Sequence, residues 1–191
     1  MKSIAVLTDV PGDGACFYYS LYRALAAQGT CLEQFCQVYD LRSVSEVDFI
    51  QDLKEFLRDS DEYTLAYTTL FDLICQAVRT GDYDMIAELT SELPSGTLRL
   101  LKKHIPLRQK LTRVERREAC KNLEPFLEEV KATMTRASYW ASEIETRLIT
   151  EMLETVGCEV AILFADTVEL DSKNSLPLDR RANIIYLYND G

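Results

Sequence analysis

A proline and two glycines within four residues, Pro11-Gly12-Asp13-Gly14, separate an apolar run from an amphipathic one, and this bend constrains the rest of the chain most. Ile4-Ala5-Val6-Leu7 comes before it, and Leu21, Ala24 and Leu25 follow it at helical spacing. Glycine takes positive φ without steric cost, so the chain can turn sharply and enter a helix at, or one turn before, Cys16. A helix start presents unpaired N–H groups and the positive end of the helix dipole, which favour a thiolate over a thiol. The same N–H groups, with the backbone of Asp13, Gly14 and Ala15, can cradle a developing oxyanion. Two readings of Cys16 stand side by side: a nucleophile, or a small buried apolar residue.

Beyond the bend the pattern is helical for most of the chain. The first helix runs to about Ala27, with Gly29 as its stop. Helices follow over Cys31–Val38 and Ser45–Arg58, the second with Ser45 and Asp48 in capping-box spacing and Phe49, Ile50, Leu53, Phe56 and Leu57 on one face. Asp61–Thr80 is a long helix with Leu65, Leu70, Leu73, Ile74 and Val78 turned inward and Gly81 ending it. Tyr83–Leu93 closes at Pro94-Ser95-Gly96. Thr97–Thr135 is helical in character, but Pro106 and Pro125 divide it into two or three pieces, the last (Glu124–Met134) with Asn122 as its cap. Ser142, followed by Glu143 and Glu145, starts another helix that Gly157 ends. Cys158–Phe164 is then a strand, whose unbroken apolar run suits burial on both faces. Asp166–Arg181 is a polar loop, and Asn183–Tyr188 is a second strand.

At 191 residues the chain is long enough for one well-buried domain, and 1–191 is read as a single one. A net charge of −10 makes nucleic acid a poor partner, since phosphate backbones call for a basic surface. The one basic cluster, from Lys102 to Arg117, reads as a solvated helical face. No apolar run approaches the roughly 20 residues of a membrane span. The short apolar stretch at the start does not make a signal peptide, so the chain reads as intracellular. Six widely spaced cysteines in a chain of this size argue against a disulfide framework. Cys31 and Cys36 lack a matching ligand pair, so no zinc site is expected.

Asp13-Gly14-Ala15-Cys16-Phe17, with Ser20 and Ala24 on the helix that follows, resembles the nucleophile motif of the ovarian-tumour (OTU) family of cysteine proteases. The family pattern, Asp-Gly-x-Cys-Leu-Phe-Arg-Ala, has one more residue between Cys and Phe, and Tyr18 or Tyr19 stands here where its arginine is expected. The far end resembles the family too: Trp140, Glu143, the strand at Val160 and the strand at Ile184 come in the family's order. Segments 30–137 match only in being helical. The resemblance implies an α/β, papain-like fold with a small mixed central sheet flanked by helices. It implies hydrolysis of the isopeptide or peptide bond after the C-terminal glycine of ubiquitin, through an acyl-enzyme on Cys16. Asp13, with the backbone of Gly14 and Ala15, would shape the oxyanion site, although Asp13 reads equally well as a helix cap. Trp140 reads as core, or as part of a substrate channel. No cofactor and no metal is implied. The partner would be ubiquitin, polyubiquitin or a ubiquitin-like modifier, in the cytoplasm (a host's, if the source is viral or bacterial).

A thiol protease also needs a general base, usually histidine. The one histidine, His104, falls in the basic helical stretch, where it reads as a surface residue. The family's histidine would follow the strand that ends at Tyr188, so the expectation is a chain that stops just short of it, Gly191 lying near the Cys16 sulfur. The alternatives are a catalytically inactive ubiquitin-binding relative, a plain interaction domain, and His104 as a substitute base.

Overall fold

The computed structural model describes residues 2–6, 15–28, 30–42, 45–91, 93, 95–105, 107, 111–118, 120–136, 139, 141–164, 175–179 and 184–189, the strands among them as backbone. In chain order the elements are β1 (Lys2–Val6), α1 (Cys16–Ala27), α2 (Thr30–Tyr39), α3 (Glu46–Asp59), α4 (Asp61–Thr80), α5 (Tyr83–Ser91), α6 (Ser95–His104), α7 (Arg113–Glu118), α8 (Leu123–Met134), α9 (Glu143–Thr155), β2 (Glu159–Phe164), β3 (Ser175–Asp179) and β4 (Ile184–Asn189). They fall into two compact units: residues 1–53 with 149–191, and residues 54–148.

In the first unit the strands pair two by two. β1 lies antiparallel to β3, Ile4 opposite Pro177, and β2 lies parallel to β4, Ala161 opposite Tyr186. Among the described residues no hydrogen bonds join the two pairs. The expected small mixed central sheet flanked by helices is therefore corrected: the described residues are predominantly helical, and their strands form two separate pairs in place of one sheet. The segment read as a polar loop holds β3, whose Pro177 a two-stranded pair accepts because each strand is an edge. α1 packs on β4 and on α2. The helical core includes Tyr18, Leu21, Leu25, Phe35 and Phe49, all with no exposed surface, with the Phe35 and Phe49 rings 6.1 Å apart. Ser45 caps α3 as expected, accepting from Asp48 N at 3.1 Å while its hydroxyl donates to the Asp48 carboxylate at 2.7 Å.

The second unit is built around α4, which packs against α5, α7 and α8. Ser60 Oγ accepts from Tyr63 N at 3.1 Å at its start, and Gly81 closes it at φ 78°, a left-handed conformation that glycine alone takes freely. Its buried face is Tyr63, Tyr67, Phe71, Ile74, Cys75, Ala77 and Val78. This corrects the expected stripe: Leu65 is 66% exposed, because three aromatic rings at i, i+4, i+8 take the inward positions. Phe126 of α8 meets this face, 5.2 Å from Phe71 and 6.3 Å from Tyr67. The interrupted stretch resolves into α6, α7 and α8, with Pro125 in the first turn of α8, where its missing N–H costs nothing. Asn122 precedes α8 without a side-chain cap bond; its amide donates to the His104 carbonyl at 3.3 Å.

At the start of α9, Ser142 and Glu145 form a buried reciprocal cap. Ile144 N donates to Ser142 Oγ at 3.2 Å, and Ser142 N donates to Glu145 Oε2 at 2.5 Å. Glu145 is fully buried and also accepts from the Tyr67 and Tyr139 hydroxyls, each at 2.9 Å. Among the described residues no helix is long and apolar enough to cross a membrane.

Candidate active site

Cys16 is the first residue of α1, and Ala15, 2% exposed, precedes it at φ −99°, ψ 13°. Tyr19 N closes the first helical bond onto the Ala15 carbonyl at 3.1 Å. Burial of Tyr18, Leu21 and Leu25 fixes one face of α1, which leaves the Cys16 side chain half-buried at the helix start. No acidic residue occupies the first turn, so nothing there offsets the positive end of the dipole that a thiolate would use. Asp13, Gly14, Trp140 and Gly191 lie outside the described residues.

The other thiols are in different environments. Cys31, Cys36, Cys75 and Cys158 are buried, and only Cys120 shares partial exposure with Cys16. Burial raises the pKa of Cys36 above the ordinary thiol value, with the Asp52 charge adding to it. Cys75 is raised by burial and by its contact with Cys120. Cys158 is pushed up to about 12, by burial first and then by Cys31. Its sulfur lies 2.8 Å from that of Cys31, a proximity between residues far apart in sequence that no local pattern signals. Of the six, Cys16 alone joins partial exposure to a place at the head of a helix.

His104 sits at the end of α6 in the other unit. Its side chain is only 9% exposed, which corrects the reading of a surface histidine. The ring stands edge-on to Phe126 at 6.1 Å, and Nε2 is 3.4 Å from Glu129 Oε2. Among the described residues no group of three or more histidine, cysteine or acidic side chains is placed to hold a metal ion. Compared with known proteins, the chain matches no family model, no curated protein and no solved structure.

Proposed function

We propose that this chain is a thiol hydrolase acting at the bond after the C-terminal glycine of ubiquitin, with Cys16 as its nucleophile. One observation carries the reading: Cys16 is a half-buried thiol at the first position of α1, with no acid in that turn. The sulfur attacks the glycine carbonyl carbon, the amine leaves with a proton, and water hydrolyses the thioester. Support also comes from α1 packing on β4, the strand after which the OTU resemblance expects a histidine. The reading rests on the residues around Cys16 and does not call for a central sheet.

A second reading is favoured by one specific observation. The chain's only histidine, His104, is already engaged, its ring edge-on to Phe126 and its Nε2 3.4 Å from Glu129 Oε2. In that reading the chain binds ubiquitin without cleaving it. A ubiquitin probe with a thiol-reactive group at its C-terminus tests both, since labelling needs recognition and a reactive thiol but no turnover. The hydrolase reading expects one adduct, mapped to Cys16, lost in Cys16→Ala and kept in Cys120→Ala. Binding of unmodified ubiquitin with no adduct supports the second reading. An adduct on another cysteine, or neither binding nor labelling, refutes the first.

A further inference from the structure

A cleft of ≈ 600 Å³ in the second unit is lined by Arg79, Leu111, Arg113 and Arg116. Arg79 is in the last turn of α4, Arg113 and Arg116 are on α7, and these two helices pack together. Two of the arginines belong to the basic cluster that reads from sequence as a solvated helical face. The third comes from α4, far away in the chain.

The three guanidiniums lack carboxylate partners among the described residues, and three acids adjacent to them in sequence make other contacts. Glu115 accepts from Thr112 N at 2.8 Å, and Thr112 Oγ1 accepts from Glu115 N at 3.2 Å, a reciprocal cap that sets the start of α7. Asp82 Oδ1 accepts from Met85 N at 3.0 Å, and Glu118 pairs with Lys121 at 2.6 Å. Arg116 Nε is buried with no hydrogen-bond partner among the described residues. Buried polar groups are ordinarily satisfied, so an orphaned guanidinium N–H beside a cleft points to a ligand. Gly81 makes room for this side chain: a Cβ there would come within 3.1 Å of Arg116 Nη1.

The C-terminal end of α4 supplies only about half a negative charge to set against these cations. Three arginines with no carboxylate partner among the described residues therefore bring positive charge together in a protein whose net charge is −10. Planar guanidiniums suit phosphate oxygens, which they bind bidentately. The volume is that of a small-ligand site, in the usual range of roughly 300–1,000 Å³. We infer that this cleft binds a small anion bearing clustered phosphate groups, through Arg79, Arg113 and Arg116. The inference is independent of the Cys16 reading.

Titration calorimetry on the full chain at low ionic strength, with inorganic tripolyphosphate, ATP and adenosine as separate probes, tests it. Saturable binding of tripolyphosphate and ATP but not adenosine is expected. Arg113→Gln and Arg116→Gln should each weaken it at least about tenfold, the order expected for one lost charge-assisted contact. Lys102→Gln, in the same basic cluster but outside the cleft, should leave it unchanged. Tighter binding of ATP than of tripolyphosphate assigns a nucleotide, and equal binding assigns a free oligophosphate. Should a variant fail to fold, arginine modification by phenylglyoxal on the unaltered chain gives the same answer, with tripolyphosphate shielding Arg79, Arg113 and Arg116. No saturable binding, no shielding, or equal weakening by Lys102→Gln overturns the assignment. So does binding confined to anionic vesicles or phosphopeptides.

Discussion

Removing the buried carboxylate of Glu145 should unsettle the second unit far more than a helix-capping glutamate would. Glu145 takes hydrogen bonds from the Tyr67 and Tyr139 hydroxyls at 2.9 Å each, from Ser142 N at 2.5 Å and from Ser142 Oγ. In Glu145→Ala the two tyrosines, 3.3 Å apart, can partly satisfy each other, but the Ser142 N–H cannot turn elsewhere. Two or three buried donors are left short of an acceptor at about 1–3 kcal/mol each, for a total of about 2–9 kcal/mol. Glu145→Gln behaves differently. Its oxygen can keep Ser142 N while its amide donates to tyrosine hydroxyls that rotate to accept, so about 1–2 kcal/mol is expected. If Glu145 acted only through the helix dipole, both substitutions would cost about the same, up to roughly 1 kcal/mol. Urea unfolding followed by far-ultraviolet circular dichroism reads the difference as a midpoint shift at constant slope. Equal effects of the two variants, or an alanine variant within about 1 kcal/mol of the parent, would refute the network argument.

Tyr63→Phe should be neutral or stabilising by up to about 1 kcal/mol in the same assay, because the Tyr63 hydroxyl is buried with no hydrogen-bond partner among the described residues; a clear loss of stability would show that the hydroxyl is satisfied. Stability should fall steeply above about pH 10. Burial first holds Tyr63, Tyr67 and Tyr139 protonated well above the ordinary tyrosine value, with the Glu145 charge next for Tyr67, and Tyr67 and then Glu145 next for Tyr63 and Tyr139. Above that pH the unfolded chain releases protons that the folded chain keeps. The three together therefore cost roughly 4 kcal/mol per pH unit there and nothing below about pH 9. Denaturant midpoints measured from pH 8 to 11 check this, and a flat profile would contradict it.

What could be read in advance was local. Ser45 with Asp48, Gly81 after a long apolar helix, and Gly157 after another are signals carried by neighbouring residues, and each marks an observed end. The buried face of α4 is not legible in the sequence because Leu65 and Tyr63 both fit a helical stripe, and packing against other helices, Phe126 of α8 among them, decides which side faces in. β3 carries no strand signal, because its Pro177 and polar flanks read as a loop and its partner β1 lies at the other end of the chain. Glu145 looked like one more acid in a first turn. Its burial depends on Tyr67 and Tyr139, which reach it from another helix and from the segment before α9. The arginine cleft likewise joins α4 to α7, while the sequence presented its basic residues as a single run.

Cys16 differs from these cases because two separate lines of reasoning lead to it. One uses its neighbours: Asp13-Gly14-Ala15 before it and an amphipathic helix after it are the features a thiol nucleophile at a helix start calls for. The other uses the remaining thiols and none of those neighbours. Cys36, Cys75 and Cys158 are held protonated by burial, Cys31 is buried against Cys158, and Cys120 sits in a turn beside Cys75. Replacing the expected central sheet with two strand pairs alters neither line. Thiolate reactivity depends on the helix end, on access and on nearby charge, all of which are local to α1. Recognition of a ubiquitin tail, by contrast, would call on surfaces beyond the Cys16 thiol and the start of α1. A chain in which Cys16 reacts fastest with a small alkylating agent yet ignores the ubiquitin probe would therefore keep the nucleophile and lose the substrate.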